Sequence, residues 1–166
     1  MIIVKIQDIK HELQNIIFGD GPAGQPGKLE KIQAFFRANA GTGIPAKKQQ
    51  RLKSEEATAL ILFSEQEKLF YEPAIDENDF ISEGAEQRVY RLDDLYVIKT
   101  NAGIFYESWL DYFNSLLIHN YFFPATAYQF LGFKIIHDEL HAIVKQQFII
   151  TSLTGLSLAR RNLDLN

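Results

Sequence analysis

The sequence predicts an α+β protein: a helical N-terminal region over residues 1–75, then a mostly antiparallel sheet carrying one long helix over residues 76–150. Three observations predict it. Before Pro73, apolar residues recur at helical spacing. After Phe80, short runs of β-branched and aromatic residues alternate with turn pairs. Between the two strand pairs lies a single aromatic segment long enough for a helix of its own.

In the N-terminal region, Ile9, Leu13, Ile16 and Ile17 predict a helix over Asp8–Phe18, and the Gly/Pro cluster of 19–27 predicts a loop. A second helix is expected over Lys28–Asn39, with Leu29, Ile32, Phe35 and Phe36 inward. Ser54-Glu55-Glu56 reads as the start of a third helix, with Ser54 as N-cap, running to about Tyr71. Arg88–Leu92 and Leu95–Lys99 flank Asp93-Asp94 and predict a hairpin, with a further strand at Asp79–Glu83. The aromatic helix is expected over Ile104–Asn120, burying Phe105, Trp109, Tyr112, Phe113, Leu116 and Leu117, and stopped by Pro124. His119 is expected to cap or pack at its end. Two more strands, Tyr128–Ile136 and Leu140–Phe148, meet at His137-Asp138-Glu139, and a tail of small, polar residues with scattered leucines follows over 151–166. One helix on an antiparallel sheet is an α+β layer arrangement.

The composition bounds the chemistry. With 17 Lys+Arg against 21 Asp+Glu, the net charge is −4, so nucleic acid is not an expected partner. The absence of cysteine removes disulfides, thiolate zinc sites and cysteine nucleophiles. The N-terminus lacks the apolar core of a signal peptide, and no stretch reaches the roughly 18 apolar residues of a membrane span, so the expected setting is the cytoplasm with no membrane contact. Gly19–Lys28 only superficially resembles a Walker loop, since Pro22 stands where the first glycine belongs and Leu29 follows Lys28. The basic run 47–53 lacks aromatic interleaving and reads as a solvated helix approach.

One segment carries chemistry. Ser82-Glu83-Gly84-Ala85-Glu86-Gln87-Arg88-Val89 aligns with the kinase glycine loop G-x-G-x-x-G-x-V, with Ser82, Gly84, Gln87 and Val89 at its four fixed positions. Only Gly84 and Val89 keep the residue type. Glycine matters there because a Cβ would hold the backbone away from phosphate oxygens. Lys99 ends the following strand, Tyr96-Val97-Ile98-Lys99, where an ammonium can meet α- and β-phosphates.

Together with Gly84–Tyr90 and Val97-Ile98-Lys99, the run His119-Asn120-Tyr121-Phe122-Phe123-Pro124 followed by Tyr128 and Leu131-Gly132-Phe133 resembles the polyvalent-protein kinase family. Lys145-Gln146-Gln147-Phe148-Ile149 is similar to its hinge segment. The family consists of kinase-like proteins of bacterial mobile elements. Over Phe80–Ile150 the resemblance implies a protein-kinase-like N-lobe, a twisted sheet with one αC-like helix, binding ATP with Mg. Gly84 would lie in the covering loop, Lys99 on the phosphates, and backbone groups at Gln146–Ile149, Gln147 and Phe148 among them, on adenine.

The resemblance carries three expectations. No H-R-D-x-x-x-x-N or D-F-G motif follows Ile150, so the chain is expected to be a truncated lobe, inactive as a kinase alone, with a second copy or a missing C-terminal lobe as partner. A mobile-element interaction module is the alternative, with the Leu140–Ile150 side or the tail leucines covered. Val89 and Lys99 must share a face, which requires a three-residue Leu92-Asp93-Asp94 loop pairing Arg91 with Leu95. Finally, the αC-like helix should offer Lys99 an acid. Glu107 and Asp111, four apart, share a face, and Glu107 has the usual residue type.

Overall fold

The computed structural model describes residues 27–39 and 49–148. The expected helix over 8–18, most of the loop 19–27 and the tail over 151–166 lie outside the described residues. Three helices, α1 (Lys28–Asn39), α2 (Gln49–Gln66) and α3 (Trp109–Phe122), accompany five strands: β1 (Phe80–Glu83), β2 (Arg88–Arg91), β3 (Tyr96–Asn101), β4 (Gln129–Ile136) and β5 (Glu139–Gln147). All strand pairs are antiparallel and the sheet order is β1-β2-β3-β5-β4, so the chain crosses from β3 through α3 before β4 and β5 return. Among the described residues no helix is long and apolar enough to cross a membrane.

α1 has the expected bounds. α2 does not. It begins at Gln49 rather than Ser54, because Gln, Arg, Leu and Lys of 49–53 are good helix formers with no breaker among them. Ser54 is therefore interior, and its carbonyl accepts from the Thr58 hydroxyl at 3.0 Å. α2 also ends before Tyr71. Lys68 turns left-handed at φ 55°, and Leu69 N–H returns to the Ser64 carbonyl at 2.8 Å, a Schellman closure.

The released segment 69–71 runs along the outer edge of β4. Phe133 N–H donates to the Leu69 carbonyl at 2.8 Å and Tyr71 N–H to the Phe133 carbonyl at 2.7 Å. Gly132 permits this approach. It has a φ of 151°, and a Cβ there would lie 2.3 Å from the Leu69 oxygen. Next to it, Lys134 Nζ donates to the carbonyls of Tyr71 and Pro73 at 3.1 and 2.9 Å.

The core lies between α3 and one face of the sheet. Trp109, Tyr112, Phe113 and Leu116 of α3 meet Phe130, Phe133, Leu140, Ala142 and Val144, and Leu29, Ile32, Phe36 and Leu60 of α1 and α2 join the same cluster. Tyr90, Ile98 and Ile143 are buried on the opposite face, where the Tyr90 hydroxyl donates to Glu77 at 3.0 Å.

α3 starts at Trp109, five residues later than the apolar spacing suggests. Ser108 is its N-cap, its Oγ accepting from Asp111 N–H at 3.0 Å. Residues 104–107 are held in a turn instead. Gly103 is left-handed at φ 69°, its N–H bound to Asn101 Oδ1, and Lys53 Nζ reaches from α2 to the carbonyls of Gly103 and Tyr106. Glu56, one helical turn on, accepts from Trp109 N–H at 3.0 Å. Phe105, expected in the buried stripe, is consequently 60% exposed. Leu117 is partly buried, and Pro124 follows the helix end as expected.

Both hairpin turns fall close to expectation. His137 and Asp138, with φ of 50° and 64°, connect β4 to β5. The β2–β3 register differs from the expected one: Arg91 pairs with Val97, not Leu95. Leu92 N–H donates to the Tyr96 carbonyl at 3.0 Å, and Asp93 Oδ1 accepts from the N–H groups of Leu95 and Tyr96. Asp93 thus organises the tip, and the turn slides one residue along to Asp93-Asp94-Leu95. The slide preserves parity, so Val89 and Lys99 are direct partners on one face.

Candidate functional site

Strand register assembles the site. Ser82, Val89, Lys99 and Val144 form one row across β1, β2, β3 and β5, and Arg91, Val97 and Gln146 form the next. Both rows lie on the face that α3 covers. Toward the β2–β3 tip the cover ends, leaving a hollow of about 320 Å³ lined by Val89, Val97, Lys99, Thr126, Gln146, Gln147 and Phe148. Val89, Val97 and Phe148 give it apolar walls, and Lys99 is the cation among its described lining residues.

The β1–β2 turn borders these rows. Gly84 N–H donates to the Gln87 carbonyl at 2.9 Å and closes the turn. Gly84 is not left-handed, and a Cβ there would meet nothing nearer than that carbonyl at 4.0 Å. Neither backbone conformation nor packing among the described residues requires glycine at this position. The turn is tied down by Glu86, which accepts from the Tyr106 hydroxyl at 3.2 Å. Ser82 is exposed and Gln87 half-buried.

Lys99 is half-buried, and burial pushes its pKa below the ordinary lysine value. Its ammonium lies 5.3 Å from the centre of the Tyr128 ring. Among the described residues no carboxylate pairs with it. Glu107, the expected partner, is not on α3 at all: it precedes the N-cap, is exposed, and lines a different groove of about 670 Å³ beside Lys53 and Trp109. The Lys53 anchor, which turns residues 104–107 out of the helix, is the physical reason. Asp111 is committed to Ser108, whose hydroxyl donates to it at 2.9 Å.

At the far wall, Phe148 N–H is already spent on the Leu95 carbonyl at 2.7 Å, so what this residue offers the hollow is its ring, over which Arg91 lies at 5.9 Å. Gln147 pairs with Tyr96 and is exposed at the mouth. Gln146 faces inward and donates to the Thr126 carbonyl at 2.7 Å. Ile149 lies outside the described residues.

Sequence reasoning missed Thr126 and Tyr128. The signal was present in His119 and Asn120. Asn120 brackets the Tyr128 backbone, accepting from its N–H at 2.6 Å and donating to its carbonyl at 2.8 Å, as a paired strand would. His119 packs as expected, its Nε2 3.1 Å from the Thr126 carbonyl and its ring 4.6 Å from that of Tyr128.

An ammonium that no carboxylate among the described residues pairs with, beside the apolar Val89, Val97 and Phe148 and an open turn, suits a ligand with a flat apolar body and an anionic group. A protein-family model described as serine/threonine/tyrosine kinase found in polyvalent proteins matches residues 53–163. The match begins within α2, so that helix falls inside the family's span. No curated protein and no solved structure matches the chain.

Proposed function

The chain belongs to the serine/threonine/tyrosine kinases found in polyvalent proteins, and from that premise we propose that its sheet and α3 form a kinase N-lobe that binds ATP with Mg²⁺ in the hollow over Lys99. The observation that carries the reading is the shared row of Val89 and Lys99, with an ammonium that no carboxylate among the described residues neutralises. Lys99 would meet the α- and β-phosphates, the turn at Ser82–Gln87 would cover them with Gly84 giving backbone access, and Val89, Val97 and the Phe148 ring would flank the base. Backbone groups beside Gln147 would complete the base pocket, without the Phe148 N–H. Among the described residues no group of three or more His, Asp or Glu side chains could hold a metal ion, so Mg²⁺ would arrive on the phosphates.

Phosphotransfer also needs an aspartate base and a metal-binding motif, and neither motif occurs in residues 1–166. On this reading the chain is a nucleotide-binding lobe of mobile-element origin, and transfer awaits a segment that supplies both. Calorimetric titration with ATP·Mg tests the reading. Lys99→Ala should weaken binding by about tenfold or more, the loss of one charge-assisted contact. Equal binding by wild type and variant would remove Lys99 from the site.

A second reading, a non-catalytic interaction module, draws on the exposed Phe122 and Phe123 at the end of α3, 50% and 58% accessible. On the Leu140–Ile150 side, where a partner was expected, Leu140, Ala142, Ile143 and Val144 are buried within the chain and Gln147 is exposed, while residues 149–150 and the tail leucines lie outside the described residues. Self-association in light scattering by a protein that ignores ATP·Mg would favour this second reading.

A further inference from the structure

We propose that Tyr128 is the positioning residue for Lys99: its ring carries the ammonium where an acidic partner was expected and aims it into the hollow. The inference rests on the nucleotide reading above and deepens it, since it says how the phosphate-binding charge is set.

The geometry points to the ring and not to an acid. The Lys99 ammonium sits 5.3 Å from the ring centre, within the range at which the negative face of an aromatic ring attracts a cation. The ring itself is held from two sides. Asn120 brackets its backbone and the His119 ring packs 4.6 Å away. Gln146, bound to the Thr126 carbonyl at 2.7 Å, lines the hollow beside Lys99.

The choice of partner has a chemical consequence. A carboxylate paired with Lys99 would cancel its charge, and an arriving polyphosphate would have to compete with it. A ring holds the ammonium without neutralising it, so the charge of Lys99 stays available to an anionic ligand. Tyr128 touches no reacting atom and acts through Lys99. The motif His119-Asn120 therefore serves the nucleotide site indirectly, by holding the ring.

The contact and its effect on binding are measured separately. Reductive methylation with ¹³C-formaldehyde leaves the lysine charge intact, and a methyl group over a ring is shifted upfield in NMR. The Lys99 resonance, identified by its absence in Lys99→Arg, should be shifted in wild type and in Tyr128→Phe, and should return to the ordinary position in Tyr128→Leu. ATP·Mg affinity should be held within about twofold by Tyr128→Phe and fall about fivefold in Tyr128→Leu. Pentafluorophenylalanine at position 128 keeps the ring's shape and inverts its charge distribution, so it should also lose about fivefold relative to Tyr128→Phe without depending on how leucine packs. An unshifted wild-type methyl resonance, or equal affinity for the phenylalanine and pentafluorophenylalanine proteins, overturns the proposal. A wild type that shows the shifted resonance and fails to bind ATP·Mg upholds the ring contact and removes the nucleotide reading.

Discussion

Gly132→Ala should destabilise the fold by about 3 kcal/mol or more, read as a lowered urea midpoint. Two costs combine. The φ of 151° belongs to a region that glycine occupies and L side chains rarely do. The added Cβ would also lie 2.3 Å from the Leu69 carbonyl oxygen and 3.0 Å from the Tyr71 nitrogen, both backbone atoms that no rotamer change can move. Relief requires pushing the 69–71 segment off the β4 edge. That would break the hydrogen bonds that Phe133 exchanges with Leu69 and Tyr71 and uncover Leu69, which is 2% exposed. The prediction is specific to this glycine. Gly84→Ala meets only an ordinary contact with the Gln87 carbonyl at 4.0 Å and should change stability by no more than about 0.5 kcal/mol. Similar midpoints for the two variants would mean that the edge segment is not held against β4.

Phe113→Ala should cost about 3–5 kcal/mol, the usual range for deleting a fully buried aromatic ring. Phe113 is 0% exposed and is the ring around which the helix–sheet core is arranged. It packs on Tyr112, Phe130 and Phe133 at 5.1, 5.2 and 5.8 Å between ring centres, and on Phe36 of α1 at 6.0 Å. A cavity here would be bordered by aromatic rings from three elements, α1, α3 and β4, and rigid rings on two helices and a strand cannot all shift to fill it. Phe113→Leu retains most of the volume and should cost markedly less. A small loss for the alanine variant would show that this core collapses around the gap.

The glycine loop and the strand lysine were legible because their relation is local. Residues 89 and 99 lie on one hairpin, and strand parity decides whether they share a face. The actual turn is one residue away from the expected one, since Asp93 binds the N–H groups of Leu95 and Tyr96. An odd loop remains odd after that slide, so the face survived an error in the register. The partner of Lys99 was not legible in the same way. Glu107 has the expected residue type at a plausible spacing, but whether it stands on the helix depends on Lys53, far away in the chain, binding the carbonyls of Gly103 and Tyr106. Tyr128 reaches Lys99 only because Asn120, eight residues earlier, fixes its backbone.

A similar division runs through the core. Phe130 and Phe133, three residues apart, would face opposite sides of a regular strand. An irregularity in the β4–β5 register between Phe130 and Gly132 turns both toward α3. Nothing in the local alternation marks it, because its stabilisation comes from the aromatic cluster it completes.

The sequence by itself determined the kinds and order of the elements, the helical spacing of α1, the β-β-α-β-β succession and the common face of Val89 and Lys99. These depend on periodicity and on turn residues, which act over a few positions. Only the tertiary structure decided where α2 and α3 begin, that residues 69–71 leave a helix to edge the sheet, and that an aromatic ring lies under the lysine. Those outcomes follow from contacts between distant segments, whose hydrogen bonds and buried rings outweigh the small local preferences of the residues involved.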